Sequence, residues 1–294
     1  MNQNKVSVRC LLLAAYFGPL PDFIPFWAKS CLPNRANFKW LLYTDQVRER
    51  TELNSAVELI PYSLAQMRAE LSALLGQLIP ECTTRKVCDL RMLLYRLRKA
   101  PDRLGDWDFF GYVDVDMVYG NLLAALPDDL PRYTVVGAHP NRPTGPFTLI
   151  RADCADAMLA IPKLRNAMAR AEYLNFDESP DLAAGLAAKG PAWLSADRLQ
   201  PSRNGVLRKE LCFGDWNQGV LTVSDGTRTE PAGFFHCGKL KGRRTFRIHR
   251  AAAARDRWVI SRDGIYCPTH PPFRLGLRRW LRTFISQHER PQTY

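Results

Sequence analysis

The sequence holds no Cys-x-x-C pair: its eight cysteines (Cys10, Cys31, Cys82, Cys88, Cys154, Cys212, Cys237, Cys267) are scattered, several within apolar runs. That spacing argues against both a zinc site and a disulfide framework and points to reduced, mostly buried thiols. A membrane-spanning start is missing too. The first apolar stretch, Val6 to Phe17, falls short of the roughly 20 residues that a bilayer requires. It runs into Gly18 and Pro19 with no small-residue cleavage pattern. The expected compartment is the cytoplasm. Internal repeats and low-complexity tracts are also absent. A hydrophobic content of 46% over 294 residues suits a packed globular chain, neither disordered nor fibrous.

Acidic residues run short in one place. Residues 1–235 carry 27 Lys and Arg against 26 Asp and Glu, whereas residues 236–294 carry 14 against three. Nearly all of the formal charge of +12 therefore sits on the last fifth of the chain. Such a segment implies an anionic partner: phosphate, a membrane surface or nucleic acid. The body of the protein needs none.

Val8 to Ala15 is a continuous apolar run ended by Phe17-Gly18-Pro19, the pattern of a strand buried on both faces. Asp22 is placed to cap a following helix, after which Phe38 to Thr44 reads as a second strand ending at Asp45, and Val57 to Ile60 as a third. Helical spacing runs from Leu64 to Ile79 and from Lys86 to Arg98. Asp108 to Val113 returns to strand character and delivers Asp114-Val115-Asp116. Tyr133–Gly137 and Phe147–Ile150 read as strands and Asp153–Ala171 as helix. Val220–Val223 and Ala232–Phe235 are expected to close the sheet. This alternation predicts an α/β layer fold with ligands at the carboxyl ends of the strands, where Asp45, Asp114 and Asp116 lie. The expected division is a catalytic domain over 1–245 and a basic extension over 246–294.

Two carboxylates one residue apart on an extended backbone point the same way, so Asp114 and Asp116 can face one hard cation, Mn²⁺ or Mg²⁺, on a nucleotide diphosphate. Spacing alone does not single them out, because Asp106-Trp107-Asp108 repeats it. Context does: the first pair precedes an apolar strand as a polar turn, and the second follows that strand directly.

Seven short segments then occur in an order that resembles a family of bacterial glycosyltransferase-like proteins encoded among capsule and O-antigen genes. They are Ala15-Tyr16-Phe17-Gly18, Thr44-Asp45, Lys86-Val87-Cys88-Asp89, Gly111-Tyr112-Val113-Asp114-Val115-Asp116 with Gly120, Gly145-Pro146-Phe147-Thr148-Leu149-Ile150-Arg151, Phe176-Asp177-Glu178, and His236-Cys237-Gly238-Lys239-Leu240-Lys241. Ala15 stands where that family has Pro, Pro146 where it often has His, and residues 243–294 match no segment of it. The resemblance implies a GT-A type, Rossmann-like fold with a mixed central sheet flanked by helices, and a DxD motif on the metal. By the same resemblance, Tyr16, Phe17, Asp45, Lys86 and Asp89 line the nucleotide pocket with Asp114. Read from the residues alone, Lys86 is as readily a solvated helix-start residue and Asp89 a helix partner to a nearby Arg.

His236 follows the apolar run Gly233-Phe234-Phe235, and a neutral imidazole there can complete a carboxylate metal site. The segment resembles the His-Gly-Lys loop that closes over the donor in retaining enzymes related to glycogenin, with compressed spacing. Gly238 is then expected to supply backbone freedom, and Lys239 and Lys241 charge for the leaving diphosphate. Asp177 and Glu178 are the candidates for acceptor chemistry, as a base toward the acceptor hydroxyl or as orienting groups. A polar turn closed by Ser179-Pro180 accounts for them equally.

Phe273, Leu277, Trp280, Leu281 and Phe284 recur at helical spacing flanked by Arg274, Arg278 and Arg282. Such a basic C-terminal helix can lie on the inner face of the cytoplasmic membrane or pack on the domain. The expected function is metal-dependent transfer of a sugar from a nucleoside-diphosphate sugar to a glycan or lipid-linked acceptor. One alternative, a nucleotidyltransferase, calls for a Gly-rich loop, which Tyr16-Phe17-Gly18-Pro19 is not. The other, a nucleic-acid-binding protein, calls for aromatics interleaved with basic residues over the body, and these are missing, so no nucleic-acid partner is expected.

Overall fold

A computed structural model of the chain describes residues 8–98, 107–201, 212–244 and 246–268. The apolar run at the start forms β1 (Cys10–Ala15), and it lies at the middle of the larger sheet. β1 pairs in parallel with β2 (Phe38–Thr44) on one side and β5 (Phe109–Val113) on the other. Beyond β2 come β4 (Val57–Pro61), parallel, and β3 (Thr51–Asn54), antiparallel. Beyond β5 come β8 (Phe147–Arg151), antiparallel, then β7 (Val135–Gly137) and β9 (Ala192–Leu194). The order β3-β4-β2-β1-β5-β8-β7-β9 makes a mixed eight-stranded sheet.

The period of two along β1 feeds two cores, which is why no polar residue interrupts it. Leu11 and Leu13 face the helix α2 (Leu64–Leu75) through Met67, Leu71 and Leu75. Cys10, Leu12 and Ala14 face α1 (Ile24–Cys31) through Ile24, Trp27, Ala28 and Cys31. α2 starts on a reciprocal cap between Ser63 and Gln66. It stops four residues short of Ile79 because Gly76 takes a left-handed φ of 59°. α1 begins without the expected cap: Asp22 makes no cap bond, and its carboxylate instead pairs with Arg250. Two other helical segments are broken. Lys86–Arg98 splits around a tight turn at Arg91–Leu93, and 153–171 splits before Pro162, whose ring disfavours helix at the residue before it.

The strands expected to close the central sheet go elsewhere. β10 (Phe213–Asn217), β11 (Val220–Ser224), β12 (Thr229–Pro231), β14 (Arg247–Ile248), β15 (Arg257–Ser261) and β16 (Gly264–Tyr266) form a separate six-stranded sheet, in the order β12-β11-β10-β15-β16-β14. The division at 245/246 thus runs between strands of one sheet. Trp216 and Trp258, with ring centroids 4.1 Å apart, pack this sheet against Phe26 on the second face of α1. Between the sheets, β6 (Met117–Tyr119) pairs antiparallel with β13 (Phe234–His236). Among the described residues no helix is long and apolar enough to cross a membrane. The segment Phe273–Ile285 lies outside the described residues.

Candidate metal centre and its cleft

β5 and β6 are separated only by Asp114, Val115 and Asp116, and β13 lies beside β6 with His236 opposite Met117. Cys237 N–H donates to the Asp116 carbonyl at 2.9 Å, locking the end of β13 onto the turn. Residues 120 positions apart are thereby brought together. His236 Nε2 stands 3.3 Å from Asp116 Oδ1 and 3.5 Å from Asp114 Oδ2. One ligand atom from each of Asp114, Asp116 and His236 falls within 4.8 Å of the others. Gly238 contributes by close approach and not by a left-handed backbone: a Cβ there would meet His236 Cε1 at 2.6 Å.

The donor set fits a divalent cation that accepts hard oxygen and borderline nitrogen ligands, as Mn²⁺ and Mg²⁺ do for the carboxylates. Asp116 supports this in detail. Its Oδ2 is fully buried, and among the described residues its one partner is the Lys241 ammonium at 2.6 Å. Burial alone would raise the Asp116 pKa, yet the hydrogen bond and charge of His236 and the charge of Lys241 hold it well below the usual carboxylate range. For Lys241, burial pulls the pKa down, and the Asp116 charge and hydrogen bond outweigh it, so the ammonium is held above its ordinary value.

Arg91 underlies the centre, and the sequence reading passed over it. Its buried guanidinium donates to Asp114 Oδ1 (2.6 Å), Val113 O (2.8 Å), Gly145 O (2.8 Å) and Asp177 Oδ2 (3.3 Å). A single residue therefore fixes the rotamer of Asp114 and ties the end of β5 to the loop before β8. A signal existed: an arginine inside the apolar run Leu90-Arg91-Met92-Leu93-Leu94 must be either misplaced or paired.

Asp177 and Glu178 sit behind the carboxylates, outside the cleft lining. Asp177 is buried, shares Arg91 with Asp114, and accepts from Tyr173 Oη at 3.1 Å. Desolvation, helped by the charge of Asp114 and opposed by Arg91, pushes its pKa up to about 7. Glu178 pairs with Arg142 and accepts from Gly145 N–H at 3.2 Å. Both carboxylates thus brace the loop at Gly145, where a Cβ would meet Asp177 Oδ2 at 2.7 Å.

A cleft of about 300 Å³ opens over the centre, lined among others by Tyr16, Phe17, Arg85, Asp114, Asp116 and Lys241. Tyr16 and Phe17 reach it because β1 ends beside β5. Asp45 does not line it. From the end of β2 its Oδ1 accepts from Gly18 N–H (2.9 Å) and Gln46 Nε2 (2.7 Å), with Gly18 at φ 92°. The hydrogen bond from Gln46, and then that from Gly18, lowers its pKa. Asp45 therefore shapes the Tyr16-Phe17 turn from outside.

Lys86 and Asp89 do not line the cleft either, and neither is solvated. Both side chains are fully buried and paired at 2.9 Å, because residues 167–176 pack over them. The side chain of Lys239 lies outside the described residues.

Comparison with solved structures finds glycosyltransferases at low similarity. One is involved in glycosylation of the major capsid of PBCV-1 (9% identity, TM-score 0.37, 65% of this chain and 83% of that one). Another is galactosyltransferase LgtC in complex with donor and acceptor sugar analogues (11%, 0.38, 64% and 74%). A third is mouse xyloside xylosyltransferase 1 in its apo form (11%, 0.36, 72% and 87%). No curated protein matches the sequence. A family model does match, over residues 12–209, a span that takes in Asp114 and Asp116 and stops before His236. With two thirds of its length so matched, the chain belongs to the family of unknown function DUF6625.

Proposed function

We propose that this protein is a metal-dependent glycosyltransferase of GT-A type that moves a sugar from a nucleoside-diphosphate sugar to a glycan or lipid-linked acceptor. One observation carries the reading: Asp114, Asp116 and His236 converge at the carboxyl end of β5, under a cleft edged by Tyr16, Phe17 and Lys241. That end of parallel strands is where α/β sheets take nucleotides. A divalent cation held there would offset the charge of the diphosphate as it departs.

The chain's own groups do the rest. Tyr16 and Phe17 offer the cleft an aromatic wall of the kind a nucleoside packs on. Arg91 holds Asp114 in its ligating rotamer, and Asp177 holds Arg91. Lys241, half-exposed at the cleft, is placed to meet the leaving diphosphate, where fixed charge acts most strongly on the transition state. The acceptor hydroxyl oxygen bonds the anomeric carbon as the bond from that carbon to the diphosphate oxygen breaks. The nucleoside diphosphate takes the electron pair, and the hydroxyl proton leaves to solvent. The basic segment after residue 236 suits an acceptor presented at the inner face of the cytoplasmic membrane, as in cell-surface polysaccharide synthesis.

Calorimetry with UDP, GDP, CDP and dTDP, with Mn²⁺ and again with EDTA, tests the reading. One nucleotide should bind with the metal and lose its affinity without it. Equal binding in both conditions would remove the metal from the proposal.

A further inference from the structure

A second depression adjoins the cleft. It is a groove of about 850 Å³, walled on one side by Glu81, Cys82 and Thr83 and on the other by Ala171, Glu172 and Tyr173. Arg85 lines both groove and cleft, so the two adjoin at this side chain. Its guanidinium lies 5.1 Å from the centroid of the Tyr173 ring and spans from one wall to the other.

The walls are held together from below by the motif that the cleft did not use. Lys86, next to Arg85, donates to Ala167 O at 2.7 Å and Glu172 O at 3.0 Å as well as to Asp89. Asp89 in turn accepts from Leu174 N–H (2.9 Å) and Phe176 N–H (2.7 Å). Burying two charges costs several kcal/mol per ion before pairing, and such a pair repays the cost best by fixing one arrangement of the chain. Here the arrangement fixed is the spacing of the groove's walls. The Tyr173 hydroxyl is fixed as well, by its bond to Asp177 at 3.1 Å.

The lining mixes an aromatic ring and small apolar surface with carboxylates, a guanidinium and a hydroxyl. A pyranose carries the matching mixture, apolar C–H faces inside a rim of hydroxyl donors and acceptors. The volume falls in the range of ordinary ligand sites. We propose that this groove is the acceptor subsite and that its ligand is a glycan of one to a few sugar residues. Arg85 marks the junction where the acceptor hydroxyl reaches the donor. The inference rests on the glycosyltransferase reading given above and deepens it.

The test uses the full chain with the donor that supports metal-dependent hydrolysis. The acceptors are p-nitrophenyl glycosides of glucose, galactose, mannose and N-acetylglucosamine, with the corresponding disaccharides. Two substitutions fill the groove from opposite walls, Ala171→Trp and Thr83→Trp, both at exposed positions where a larger side chain costs little stability. Each should raise the acceptor KM roughly tenfold or more while donor hydrolysis stays within about twofold of the parent. An acceptor KM unmoved by both tryptophans overturns the assignment. So does a fall in hydrolysis that tracks the loss of transfer, which would make the groove part of the donor site. Donor hydrolysis with no transfer to any glycoside overturns the glycan class. Absence of donor hydrolysis in the parent protein is a different failure, that of the glycosyltransferase reading itself.

Discussion

Two lysine–aspartate pairs flank the cleft, and they are built differently. Lys86 spends all three ammonium donors on Asp89, Ala167 O and Glu172 O, and both Asp89 oxygens accept backbone N–H groups. Neither side chain is exposed. Lys241 meets Asp116 Oδ2 at 2.6 Å, but the lysine is half-exposed, and among the described residues no backbone N–H donates to that oxygen. A saturated pair has nothing left to offer a ligand and serves the chain. A pair with a half-exposed lysine and no backbone donors on its carboxylate can exchange that partner for a ligand and serves a site.

The sharpest way to break this contrast is to neutralise each aspartate or lysine and ask what is lost. Asp116→Asn keeps the shape and removes a charged ligand. It should abolish Mn²⁺-dependent nucleotide binding in calorimetry while the melting temperature stays within a few degrees of the parent. Retained binding would show that Asp116 is as structural as Asp89. Lys86→Met leaves Asp89 buried without its partner, and urea unfolding should report a loss of about 3–5 kcal/mol. A loss near zero would mean that the sealed pair does not hold the fold.

A smaller effect is expected from Gly238→Ala, whose Cβ would stand 2.6 Å from the His236 ring. Displacing the imidazole should weaken Mn²⁺ binding by about tenfold, as misplacing a ligand's support commonly does. Titration of free Mn²⁺ by electron paramagnetic resonance measures it, and unchanged affinity would take His236 out of the ligand set.

The smallest effect concerns Asp177, which belongs to neither pair. Burial raises its native pKa to about 7, whereas an unfolded aspartate releases its proton near about 4. Between those values the native state holds a proton that the unfolded chain lacks, so this group's stabilisation is complete below the lower value. It is lost as the pH rises through the upper one. Asp177→Asn does not titrate. The melting temperature of the variant minus that of the parent should therefore climb between pH 5 and pH 8, and a flat difference would show that Asp177 is ionised throughout.

Several elements could be read from the sequence at close to residue precision. β2 spans Phe38–Thr44 as its apolar run does, and β5 ends at Val113, directly before Asp114. Other elements were misread where a local rule was overridden. The pattern toward Ile79 outlasts its helix because Gly76 closes it. The runs at 220–223 and 232–235 look like strands of the central sheet, but apolar alternation does not say which sheet will accept a strand. Lys86 reads as a solvated helix-start residue, Asp89 as a helix partner to an Arg, or both as pocket residues, and they are none of these, since four backbone groups from residues 167–176 bond them.

What the sequence determined by itself is local: strand ends, the DxD spacing, and a histidine at the close of an apolar run. These follow from backbone geometry over a few residues, where side-chain direction is set by period. Tertiary structure alone decided that His236 meets Asp114 and Asp116 across 120 positions, that Arg91 lies beneath them, and which lysine is sealed and which is half-exposed. The reason is physical. The state of a charge depends on what covers it and what it can bond, and two of the three acceptors of Lys86 and the lysine that meets Asp116 come from segments 80 or more residues away.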